Sequence, residues 1–97
     1  MEYFPKVSQV IPGEGYAVYA YFTDGSVRLF DASGLINQGG VFAPLRDKSV
    51  FDRALTVLND TVAWDIAGKR DPCDCVDIDP FSVYSATRVT DPLLQSG

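Results

Sequence analysis

Tyr16-Ala-Val-Tyr-Ala-Tyr-Phe-Thr-Asp24-Gly25-Ser-Val-Arg-Leu-Phe-Asp31 is the stretch that decides how this chain folds. Two runs rich in aromatic and β-branched residues flank an Asp-Gly pair. That pair is favoured in two-residue type I′ hairpin turns, because both central positions need positive φ. With such a turn Thr23 faces Ser26, Phe22 faces Val27, Tyr21 faces Arg28, Ala20 faces Leu29 and Tyr19 faces Phe30. Directly opposed residues share a face. One face then carries Val18, Ala20, Phe22, Val27 and Leu29, an apolar set suited to the core. The other carries Tyr19, Tyr21, Arg28 and Phe30, with Thr23 and Ser26 near the turn. In this register the Arg28 guanidinium lies across from the Tyr21 ring, a cation–π arrangement.

Working outward, Pro5 to Ile11 reads as a first strand that Pro12-Gly13 terminates. After the hairpin, Ser33 to Gly40 fits a short helical turn, with Ser33 as N-cap and Gly39 as stop. Val41 to Leu45 is an apolar bridge, and Asp47 is placed to cap a second short helix through Phe51. Residues 53–58 satisfy two patterns. Val50, Phe51, Ala54, Leu55 and Leu58 fit helical spacing. A two-residue turn at Asn59-Asp60 instead sets Leu55 opposite Trp64 and Val57 opposite Val62, and the hairpin is the preferred reading. Asp65 to Asp74 is a polar loop and Cys75 to Asp79 a brief extended piece. Asp79-Pro80 starts a helix, Asp as N-cap and Pro at the first helical position. Residues 87–97 read as a C-terminal tail.

The chain has 97 residues, 46% of them hydrophobic, which suits one small domain and excludes disorder. The net charge is −5, and the eight basic residues are scattered. Nucleic-acid binding needs a concentrated basic surface, so no direct DNA or RNA partner is expected. An anionic membrane would repel the chain. No segment reads as a signal peptide or membrane span, and a cytoplasmic location is the expectation.

Candidate chemistry is sparse. Without histidine, the chain lacks the commonest general base and transition-metal ligand. Cys73 and Cys75 stand one residue apart, too close for an unstrained disulfide. The carboxylates of Asp71, Asp74 and Asp77 oppose thiolate formation. Two thiols also fall short of the four ligands of a structural zinc site. The acidic box of Asp74, Asp77 and Asp79 with Tyr84 is the alternative site, for a divalent metal or another ligand. It lacks the spacing of a dedicated calcium loop. A third reading, a small enzyme using Asp77 and Tyr84, has nothing that fixes a nucleophile or a substrate. The glycine pairs lack the spacing of phosphate-binding loops.

An ordered set of segments carries a resemblance: Phe4-Pro-Lys-Val7, the Asp24-Gly25 hairpin ending in Phe30-Asp31, Val41-Phe-Ala-Pro-Leu-Arg-Asp47 with Phe51, Val62-Ala-Trp64, and Asp77-Ile-Asp-Pro80 with Tyr84. Together, over residues 4–86, they resemble the bacterial domain of unknown function 2442 family. The loop between Trp64 and Asp77 is longer than in many relatives. The resemblance implies a small α+β domain that stands alone, fuses to a helix-turn-helix or neighbours another small protein in a two-gene cassette. It brings no catalytic residues.

The expectation is therefore a single α+β domain over residues 4–86. Its sheet is mainly antiparallel, with about five strands and short helices on one side. The expected function is non-catalytic and cofactor-free: an interaction module that meets a protein partner or its own copy. Tyr19, Tyr21, Arg28 and Phe30, or an open sheet edge, form the candidate interface.

Overall fold

The computed structural model describes residues 5–66, 68 and 75–90. The fold is α+β, with antiparallel strands in two sheets rather than one sheet of five. The first sheet has the order β1 (Val7–Pro12), β2 (Ala17–Phe22), β3 (Val27–Asp31), β7 (Thr87–Val89); the second has β4 (Leu55–Leu58), β5 (Thr61–Trp64), β6 (Val76–Asp77). Helices α1 (Ser33–Gln38), α2 (Lys48–Ala54) and α3 (Pro80–Tyr84) connect them, with a 3-10 helix at Gly40–Arg46.

The central hairpin forms in a different register from the one expected. Tyr21 pairs with Val27, Ala20 with Arg28, Tyr19 with Leu29 and Val18 with Phe30. The Gly25 N–H donates to Phe22 O at 3.0 Å, and the Phe22 N–H to Ser26 O at 2.9 Å. The loop is thus Thr23-Asp24-Gly25, a type I turn closed by a glycine in a left-handed bulge, with Gly25 at φ 90°. Asp24 has no positive φ, so it is not a type I′ position. Its Oδ1 instead accepts the Ser26 N–H at 2.8 Å and the Ser26 hydroxyl at 2.6 Å. A one-residue slip moves a whole strand's side chains to the opposite face. Arg28 and Phe30 therefore join Val18, Ala20 and Phe22 on the inner face, while Val27 and Leu29 join Tyr19 and Tyr21 on the outer one.

The second hairpin forms as the sequence indicates. Leu55 pairs with Trp64 and Val57 with Val62, around Asn59 at φ 52° and Asp60 at φ 63°. The helical alternative for residues 53–58 is partly realised, since α2 runs to Ala54 before the chain extends. Ser33 is the first residue of α1 rather than its cap. The capping contact comes from Asp31, whose Oδ1 accepts the Ser33 N–H at 2.9 Å. The bridge after α1 coils as the 3-10 helix and drives Leu45 into the core. Asp47 and Asp79 cap α2 and α3 by accepting from Ser49 N and Phe81 N. Residues 87–89, expected in the tail, add a strand to the first sheet by pairing with β3.

One core cluster draws on both sheets. Val7, Val18, Ala20 and Phe22 meet Ile36, Leu45, Phe51, Val62, Trp64 and Val83. Phe51 is its hub, with ring centroids 5.3 Å from Tyr16 and 5.4 Å from Trp64. Burying aromatic rings of this size supplies most of what a small core can gain. The sheets are stitched by the Val7 N–H, which donates to Asp60 O at 2.8 Å. The Thr61 hydroxyl, donating to Ile78 O, ties β5 to the segment after β6.

Candidate functional site

Cross-strand partners project to the same side of a sheet, so the pairings define the two faces of the first sheet. Gln9 pairs with Tyr21 and Ile11 with Tyr19; Tyr19 pairs with Leu29, and Leu29 with Thr87. Val27 pairs with Tyr21 on one side and Val89 on the other. The outer face thus carries Ile11, Tyr19, Tyr21, Val27, Leu29 and Val89. Val27 is buried and the others are half-buried. Among the described residues, none of the six belongs to the core cluster or packs against it. The core-facing residues of α1, α2 and α3 (Ile36, Phe51 and Ala54, Val83) lie with Val18, Ala20 and Phe22, on the opposite face.

Of the four interface candidates from the sequence, the structure keeps Tyr19 and Tyr21 together. It turns Arg28 and Phe30 inward. Sequence reasoning missed Leu29 through the hairpin register, Val89 because residues 87–97 read as a tail, and Ile11 because the first strand was given no pairing partner. The Tyr19 ring approaches Gly13 closely: an added Cβ there would sit 3.2 Å from its Cε2.

Arg28 meets Tyr84 rather than Tyr21. Its guanidinium carbon lies 4.3 Å from the Tyr84 ring centroid, and its Nη1 donates to Ala86 O at 3.4 Å. The Tyr84 hydroxyl donates to Asp24 Oδ2 at 2.8 Å, while its ring stands edge-on to Phe22 at 5.0 Å between centroids. Hydrogen bonds from the Ser26 hydroxyl and N–H, helped by Tyr84 and by the Arg28 charge, hold Asp24 at a pKa of about 2. The same carboxylate pushes the Tyr84 phenol upward. A neutral phenol donor on a fixed carboxylate is a structural clasp between the first hairpin and α3.

Three members of the acidic box are described. Asp77 is exposed on β6, Asp79 is engaged in capping, and Tyr84 is bound to Asp24. Asp74, Asp71 and Cys73 lie outside the described residues. Among the described residues no three His, Cys, Asp or Glu side chains group as a metal site, and no helix is long and apolar enough to cross a membrane. Cys75 is half-buried.

The fold and this geometry define a small α+β domain with an aromatic outer sheet face. The family model described as "Protein of unknown function (DUF2442)" matches residues 7–88. The chain belongs to that family. No curated protein and no solved structure gives a significant match.

Proposed function

We propose that the protein is a non-catalytic interaction module that uses the outer face of the β1-β2-β3-β7 sheet to bind another polypeptide. The observation that carries this reading is the apolar stripe of Ile11, Tyr19, Tyr21, Leu29 and Val89, set on the face away from the core cluster. Aromatic and aliphatic side chains gathered on one sheet face mark a surface suited to association.

The sheet edges are poorer candidates. β1 carries a bulge between Val7 and Gln9, and its first N–H is already given to Asp60 O. β7 is three residues long with Arg88 at its centre, directly opposite Arg28. A second copy pairing antiparallel about that centre would oppose two more guanidiniums. Short, bulged and charged edges of this kind discourage strand addition.

The test is the solution mass at several concentrations, and co-purification from source cells, for wild type beside Tyr21→Glu and Leu29→Glu. A thermal melt checks that each variant folds. Association that both substitutions abolish supports the outer face as the binding surface. Association that survives both, or none in any form, removes the support for this reading.

A further inference from the structure

The outer face ends in an open depression of about 580 Å3, lined by Glu14, Ala17, Leu29, Asp31, Ser33 and Thr87. Ala17 and Leu29 are half-buried side chains of β2 and β3, whereas Glu14 and Asp31 are exposed carboxylates. Among the described residues no basic side chain lines it. The one ion pair among the described residues is Lys48 with Asp52, elsewhere on α2, so Glu14 and Asp31 enter none.

We infer that this depression receives an apolar side chain of a partner polypeptide on Ala17 and Leu29, and an adjacent lysine or arginine between Glu14 and Asp31. The inference rests on the interaction-module reading and adds the partner's chemistry to it. Charge complementarity is the first argument. The chain carries a net charge of −5, and this end of its apolar face places two uncompensated carboxylates beside a hydrophobic floor. Such a pairing steers a cationic segment and rejects an acidic one. Pre-organisation is the second. Asp31 Oδ1 is held by the Ser33 N–H at 2.9 Å, so the carboxylate is fixed before a partner arrives. Hydrogen bonding from the Ser33 backbone and side chain also lowers the Asp31 pKa. A second copy of this chain fits less well, because it would bring its own surplus of negative charge to the same place.

Selection of displayed random peptides on the intact wild-type protein tests the inference. Chosen peptides are then synthesised and titrated against wild type, Glu14→Gln with Asp31→Asn, and Leu29→Ser. Asn at position 31 still accepts from Ser33, so the double variant keeps its helix start. The expected peptides carry Lys or Arg beside a large apolar residue. Their affinity falls about tenfold in the double variant and weakens with added salt. Peptides without basic enrichment that nevertheless need Leu29 would overturn the cationic partner while leaving the outer face as a binding surface. No peptide sensitive to either variant would sink both readings. A wild-type dimer that Leu29→Ser splits would place a second copy in the cleft and overturn the inference.

Discussion

Asp24 receives three hydrogen bonds, from Ser26 N, Ser26 Oγ and Tyr84 Oη. The last of these joins residues sixty positions apart, so one carboxylate closes the hairpin loop and anchors the last described helix. The pH signs follow from the shifts. Asp24 moves from 3.8 to about 2 on folding, so its contribution is complete above 3.8 and is lost as pH falls through about 2. The Tyr84 pKa is raised from 10.0, so its contribution is complete below pH 10.0 and is lost as pH rises through the higher folded value. Tyr84→Phe keeps the ring on Phe22 and under Arg28 but removes the donor. It should lower the melting midpoint at neutral pH by a few degrees, the scale of one hydrogen bond in a chain this small. The gap to wild type should narrow as pH falls toward about 2, where Asp24 becomes protonated in the folded protein. A gap that is absent at neutral pH, or constant across that range, would show that the clasp contributes nothing.

At the scale of the element, the two tight hairpins look alike in sequence but are built on opposite backbone logic. At Asn59-Asp60 both residues hold positive φ, at 52° and 63°. A non-glycine residue there bears a cost of about 1–2 kcal/mol, which glycine offsets only partly because it loses more chain entropy on folding. At Asp24 the backbone is right-handed and the side chain holds the turn. Asp60→Gly should therefore stabilise the protein, by about 0.5 kcal/mol from the difference of those terms. Asp24→Gly should destabilise it. Denaturant titration of both variants reads the two signs, and equal signs would contradict the turn assignment. This contrast also shows what was legible in the sequence. Leu55 opposite Trp64 and Val57 opposite Val62 could be read because only one alignment puts all four apolar residues on one face. The first hairpin offered two such alignments. Val27 and Leu29 are as apolar as Phe30, so the pattern could not choose between them, and Asp-Gly serves both a two-residue turn and a three-residue loop. The choice rested on Tyr84, which shelters an inward Arg28 from more than fifty residues away. β7 was hidden for a related reason: Thr-Arg-Val is too short to signal a strand without β3 beside it.

Over the whole molecule, much of the acidic surplus proves to be architectural. Asp24-Gly-Ser26, Asp31-Ala-Ser33 and Asp47-Lys-Ser49 repeat one device, in which the aspartate accepts the N–H of the serine two residues on. Asp79 does the same for Phe81. The device marks the hairpin loop, the start of α1, the start of α2 and the start of α3, which are the points where the chain changes direction. The caps at Asp47 and Asp79 were legible in the sequence, whereas composition alone counts Asp24 and Asp31 only as charge, and of the four only Asp79 entered the acidic box read as a ligand site. Their energetic consequence is collective. The Ser26, Ser33 and Ser49 bonds lower the pKa of Asp24, Asp31 and Asp47 from 3.8, so unfolding takes up protons as the pH falls below that value. Relief of the self-repulsion carried by a net charge of −5 works in the opposite direction on the way down from neutral pH. That relief is a diffuse, salt-screened effect, whereas the three serine bonds are local and act only near the carboxylate titration. Stability should therefore hold from neutral pH to the upper edge of that titration and then fall steeply. Replacing Asp24, Asp31 and Asp47 together by asparagine keeps an oxygen acceptor at each turn but removes the titrating group. The triple variant should be less stable at neutral pH, where neutral acceptors bind N–H groups more weakly. It should also lose much of the slope of melting temperature against pH below 3.8. Melting curves of wild type and variant at half-unit pH steps measure that slope. An unchanged slope would assign the acid sensitivity to other carboxylates and leave the repeated turns as local geometry alone.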